Sequence, residues 1–217
     1  MCQPFIRNHQ FNLIKKQADW LQRTCSTVAD RKVIESARAS VQAKVLEAFP
    51  DLADSQRQAL ERLWTLDTSE QFHQYLLTLE PLREAFAPAT EQQVKKLFPK
   101  VKKLKVPDLA SIDHRRITYL GWTDIATNKQ YLVYRLEGQL VGIEGRFTAA
   151  NKKNTCFLCH KQEEVALFTA ITKSKPAGAS PDYYKAIGNY LCVNSETCNK
   201  NVTDVAALEK FIQDVIR

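Results

Sequence analysis

The chain has 217 residues, 44% of them hydrophobic, with 31 Lys and Arg against 24 Asp and Glu for a formal net charge of +7. That length suits one large domain or two of ordinary size, and the basic balance favours an acidic partner. No apolar run approaches membrane-spanning length, and residues 1–10 hold no apolar segment of the kind a secretory signal needs, so membrane and secreted classes are set aside and a cytoplasmic monomer with reduced thiols is expected.

Residues 8–86 read as helix after helix. Phe11, Ile14, Ala18, Leu21 and Cys25 recur at three- and four-residue steps, which puts them on one stripe. A second helix starts behind Asp30 as N-cap, carries Val33, Ile34, Ala37, Val41, Val45 and Phe49 on its inner side, and must stop before Pro50. A third begins near Asp54 and carries Leu60, Leu63, Trp64 and Leu66. The fourth starts where Thr68 and Gln71 stand at capping-box spacing, and it carries Phe72, Tyr75, Leu76 and Leu79 before Pro81. Short joints between amphipathic helices predict an antiparallel bundle over residues 1–87. His9 and His73 are isolated in it and form no ligand set.

Pro81 and Pro88 bracket a joint, and a mixed α/β domain over residues 88–217 is expected beyond it, giving a two-domain α+β chain. A helix over residues 90–98 ends at Pro99. The run Lys95, Lys96, Lys100, Lys102, Lys103 and Lys105 follows, interrupted by Leu97, Phe98, Val101 and Leu104; it fits a solvated helix end and equally a patch that attracts phosphate or carboxylate. Past Pro107 the apolar period becomes two, through Ile117, Tyr119 and Trp122. Residues 131–136 and 140–147 then flank Glu137-Gly138 as the arms of a hairpin.

Four of the six cysteines lie in the last third, Cys156 with Cys159 and Cys192 with Cys198. Two close pairs that far apart match a tetrahedral zinc shell, and four thiolates close the shell, which makes the ion structural. Two disulfides would use the same residues but require an oxidising compartment, and a catalytic zinc would keep one position open for water. His160 could replace one sulfur. The filled shell contributes a net −2, bringing the formal +7 to about +5. Cys2 and Cys25 have no partner at metal spacing. After the first pair come a strand over residues 165–171, a loop over 174–182 rich in Gly, Pro and Ser, and a strand over 186–191 that delivers Cys192. A helix behind Thr203 or Asp204 buries Val205, Leu208, Phe211, Ile212 and Val215. Knuckle, hairpin, second ligand pair and helix, over residues 150–217, describe a treble-clef-like finger.

The combination of Pro4-Phe5-Ile6-Arg7-Asn8-His9-Gln10 opening a helical half with Cys-Phe-Leu-Cys-His at 156–160 and Gly-Asn-Tyr-Leu-Cys-x5-Cys-Asn at 188–199 resembles the elongation factor G-binding proteins, which include the FusB-type fusidic acid resistance proteins. The resemblance implies binding of elongation factor G through the zinc-containing half and release of the factor from the ribosome, where fusidic acid traps it after GTP hydrolysis. It also implies a contact surface that maps onto Lys185, Tyr190 and Phe211. Phe157, held between two ligands, is the anchor expected from the residues themselves: a rigid aromatic mount buries much area for little lost side-chain entropy. Phe211 fits the core stripe with Leu208 and Val215 as well as it fits a contact. The competing reading is an RNA- or ribosome-binding zinc protein that uses Lys95 to Lys105 on phosphates and Phe157 or Tyr184 for base stacking. An enzyme is not expected: Asp182, His160 and Glu163 make no nucleophile-base set, and there is no phosphate loop or small-molecule signature.

Overall fold

The N-terminal helices are α1 (Asn8–Thr27), α2 (Arg31–Glu47), α3 (Asp54–Glu61), continued by a 3₁₀ turn over Arg62–Thr65, and α4 (Ser69–Leu79). They belong to a computed structural model that describes residues 3–86, 89–150, 152–173, 178, 180 and 184–216. The chain divides into two units, Met1–Glu84 and Ala85–Arg217. The expected boundary at residues 87 and 88 lies outside the described residues, as do Cys2, Asp182 and most of the 174–182 loop.

Three of these helices start in the same way. A glutamine at the third helical position accepts from the backbone N–H of the residue before the helix: Gln10 from Arg7 (2.9 Å), Gln56 from Ala53 (3.0 Å) and Gln71 from Thr68 (3.1 Å). Each satisfies a donor that the helix itself leaves without a partner. Helix α2 instead uses Asp30, whose carboxylate accepts from Lys32 N–H at 2.8 Å. Phe11, Ile14, Leu21, Val41, Val45, Leu60, Leu63, Phe72 and Leu79 fill one core. Val33, expected on the inner side of α2, is exposed instead, because the buried face there is set by Ala37, Val41 and Val45, a stripe that Val33 only borders. Buried Arg83 joins the two ends of this unit: its guanidinium donates to Asn8 Oδ1 (2.7 Å) and Glu80 (3.2 Å) and lies 4.2 Å from the Phe11 ring centroid.

In the second unit α5 (Glu91–Leu97) is capped by Thr90 and Gln93, and five strands make one antiparallel sheet: β1 (Leu120–Asp124), β2 (Lys129–Leu136), β3 (Gln139–Ala149), β6 (Val165–Ile171) and β7 (Ala186–Cys192), in that spatial order. The hairpin turn falls on Glu137 and Gly138 with φ of 49° and 82°, the paired positive values that a tight primed turn needs. Two short strands, β4 (Asn154–Thr155) and β5 (Gln162–Glu163), pair separately. On one face of the large sheet, Leu132, Tyr134, Ile143 and Phe168 pack with Leu208, Phe211, Ile212 and Val215 of α7 (Ala206–Ile216). On the other face, Phe98 at the end of α5 meets Tyr131 and Trp122 edge-on, at 5.1 and 5.9 Å between centroids. The expected helix at 90–98, the hairpin and the C-terminal helix are all present, and the chain is α+β as expected.

Gly145 of β3 packs tightly against β6: an added Cβ there would stand 2.4 Å from the fully buried Phe168 ring and 2.7 Å from the Thr169 carbonyl. Gly145→Ala is therefore expected to destabilise the second unit by about 2 kcal/mol, since neither neighbour has room to retreat. Chemical denaturation monitored by zinc release checks this; an unchanged midpoint would show that the sheet gives way more easily than the packing implies.

Candidate zinc site and partner-binding surface

The first cysteine pair sits in the turn between β4 and β5. The knuckle is held by Cys156 N–H donating to Lys161 C=O (3.0 Å) and His160 N–H to Cys156 C=O (2.9 Å), with His160 at φ 55°. Cys192 ends β7. Asn194 then accepts from Glu196 and Thr197 N–H, starting the short helix α6 (Ser195–Asn199) that carries Cys198. The four Sγ atoms are buried and all within 4.8 Å of one another. Cys156 to Cys198 measures 3.8 Å and Cys159 to Cys192 3.6 Å. Zn–S bonds of about 2.3 Å in a tetrahedron give edges of about 3.8 Å, so the sulfurs stand where the ion requires them. His160 is exposed and outside this group.

The four thiols act strongly on one another: hydrogen bonds from Cys159, Cys192 and Cys198 lower the Cys156 thiol, while the bond to Cys156 raises Cys192 and Cys198. A dication held by the four sulfurs would take the place of their protons. The chain thus carries one structural zinc ion; these four thiolates fit it, would fill its shell and would use it for rigidity.

A second group of residues supports the ligands. Asn199, next to Cys198 and buried, accepts from the N–H groups of Thr118 (2.7 Å) and Tyr119 (3.2 Å) and donates to Tyr119 C=O (2.9 Å). Ser195 Oγ donates to Gly121 C=O at 2.7 Å, so α6 is stitched at one end to β1 and at the other to the two residues that precede it. Burial, and after it the Cys198 sulfur, raises the Tyr119 phenol well above its usual range, which keeps it a neutral donor beside the thiolates. Asn199 and Tyr119 are not identifiable from ligand spacing; the only signal was the Cys-Asn pair itself.

The residues expected to meet a partner are placed differently from one another. Phe157 N–H donates to Tyr190 C=O (2.9 Å), docking the knuckle on β7. Its ring is half-buried against Phe211, 5.4 Å between centroids, so it is presented with one face only and not wholly outward. Phe211 is 3% exposed and touches Phe168 as well (5.8 Å), which makes it a support beneath Phe157 and gives it no outward face. Tyr190, 41% exposed, and Lys185 both face solvent.

A chain with an all-helical unit and a second unit in which a four-cysteine treble clef is mounted on an antiparallel sheet belongs to the class of zinc-finger proteins. Residues 5–87 match the family described as elongation factor G-binding protein, N-terminal, and residues 82–214 match the FBP C-terminal treble-clef zinc-finger; the chain belongs to the elongation factor G-binding protein family. A solved structure described as that of the fusidic acid resistance protein FusC is 28% identical, superposes with a TM-score of 0.78, and is covered over 97% of each chain. No curated protein matches.

Cys198→Ser is expected to abolish stoichiometric zinc and loosen residues 85–217 while the helical unit keeps its structure, because apparent structural-zinc energies of about 10 kcal/mol are folding energy. Metal analysis with circular dichroism checks this, and retained zinc with an unaltered spectrum would refute a structural ion. Asn199→Ala removes three buried hydrogen bonds and is expected to cost about 3 kcal/mol and speed zinc loss to a chelator; unchanged loss kinetics would detach Asn199 from the site.

Proposed function

We propose that this chain binds elongation factor G through its zinc-bearing unit, frees the factor from the ribosome, and so protects translation against fusidic acid by binding, with no chemical step on the drug. The observation that carries this reading is the likeness to FusC over 97% of both chains at 28% identity, an extent that includes the zinc finger and the helical unit alike. The charge distribution supports it. Residues 85–217 contain 20 Lys and Arg against 13 Asp and Glu, whereas residues 1–84 contain 11 of each, so the whole excess of positive charge belongs to the unit with the rigid mount.

In this reading Phe157, Tyr190 and Lys185 meet the factor, and Phe211 acts from beneath by fixing the Phe157 ring. Zinc holds the knuckle to β7, so the contact atoms lose little freedom when the complex forms. Phe157→Ala and Tyr190→Ala are each expected to weaken binding to purified elongation factor G by roughly 2 kcal/mol, about thirtyfold, with zinc content retained. Calorimetry reads this, and full affinity in both variants would move the interface elsewhere. Release is tested separately, by whether the chain restores factor turnover on ribosomes stalled with fusidic acid.

A second reading, contact with ribosomal RNA, draws on one observation: Lys96, Lys100, Lys102, Lys103 and Lys105 are exposed and have no carboxylate partner among the described residues, whereas Lys95 pairs with Glu91 at 2.6 Å. A phosphate-dominated complex would lose affinity steeply with salt, by several decades if most of these lysines engage, while the aromatic interface proposed above is expected to weaken only mildly.

A further inference from the structure

Among the described residues, the last strand of the sheet, β7, has no strand neighbour on its outer side. Its register tells which backbone groups are left there. Thr172 N–H donates to Lys185 C=O (2.8 Å) and Val193 N–H to Glu164 C=O (2.9 Å), so residues 185 and 193 direct their backbone groups at β6. In an antiparallel ladder that direction alternates, and Ile187, Asn189 and Leu191 therefore point the same way. Ala186, Gly188 and Tyr190 turn theirs outward. The Tyr190 carbonyl is taken by Phe157 N–H; among the described residues, the N–H groups of Ala186, Gly188 and Tyr190 and the carbonyls of Ala186 and Gly188 have no partner.

Edges of this kind are normally blunted by charge, proline or a bulge. This strand reads Ala-Ile-Gly-Asn-Tyr-Leu-Cys, with neither charge nor proline, and it pairs with β6 over its whole length without a bulge. Beside it, among the described residues, the outer face of the sheet carries exposed apolar side chains: Leu167, opposite Tyr190, is 37% exposed, and Ile171, opposite Ala186, is 61% exposed. A cation lies on this surface: exposed Arg146 is in register with Thr169, which is in register with Gly188; Lys185 precedes the strand, directed by the strand alternation to the opposite face. The surface adjoins Phe157 and Tyr190, and it lies in the unit that holds the whole positive excess.

We propose that β7 receives an extended segment of the protein partner by strand addition. The segment's main chain would bond to Ala186 and Gly188, its alternate apolar side chains would lie on Tyr190, Leu167 and Ile171, and its carboxylates would face Arg146. This rests on the reading that the chain binds elongation factor G, and it names the manner of that contact. A flat free edge with small residues supplies affinity through backbone bonds, and Arg146 selects acidic sequence.

Residue-resolved hydrogen exchange on the full-length zinc-loaded chain, alone and with elongation factor G, tests it. The expected result is a slowing on the order of a hundredfold at the amides of Ala186 and Gly188 in the complex, with Ile187 and Asn189 protected in both states. Ala186→Pro removes an outward N–H that the β6 ladder does not use, and it is expected to weaken the complex at least about tenfold with zinc retained. If the complex forms and the Ala186 and Gly188 amides exchange as in the free chain, strand addition is wrong and the functional reading stands. If no complex forms, the functional reading fails and takes this proposal with it. Protection that grows with concentration of the chain alone would assign the edge to a second copy and overturn the proposal.

Discussion

Four sulfurs drawn to within bonding distance of one ion make a cross-link between parts of the chain that are far apart in sequence. The knuckle, the end of β7 and α6 meet there, and through Asn199 and Ser195 the link reaches β1, about eighty residues back along the chain. β1 and β7 are the two outermost strands of the sheet, so a single ion is connected to both of its margins. Closing such long loops costs entropy, and the metal–thiolate bonds help the burial on the two faces of the sheet to offset it.

What the ion fixes, aromatic packing then extends. Phe157 rests on Phe211 and Phe211 on Phe168, a continuous path from knuckle to sheet centre, while Phe98, Tyr131 and Trp122 do the same work for the opposite face. The exposed residues Tyr190 and Lys185 therefore stand on a frame with little freedom to rearrange, which suits recognition by a preformed surface.

The sequence made visible those features whose causes are local. Capping-box spacing at Thr68 and Gln71, Asp30 as N-cap, the Glu137-Gly138 turn and the cysteine pairs each act within a few residues, and each is where the pattern put it. Features that depend on what lies opposite were hidden. Val33 fits an apolar stripe in sequence yet stands at its exposed margin; Phe211 satisfies the periodicity of either a core or a contact, and only the rings on both sides of it decide. Asn199 looks like any polar residue after a ligand until β1 is laid against it.

The glutamines that begin α1, α3 and α4 have a consequence for the response to acid. A glutamate in that place would gain a proton as pH falls and cease to be a charged acceptor, whereas an amide has nothing to titrate, so these helix starts are indifferent to acidification. The zinc thiolates are the opposite case: protons compete with the ion for every sulfur. Lowering the pH thus acts unequally, dismantling the zinc-bearing unit while leaving the three glutamine contacts at the starts of α1, α3 and α4 intact; of the caps described above, only the Asp30 carboxylate of α2 shares the sensitivity to acid.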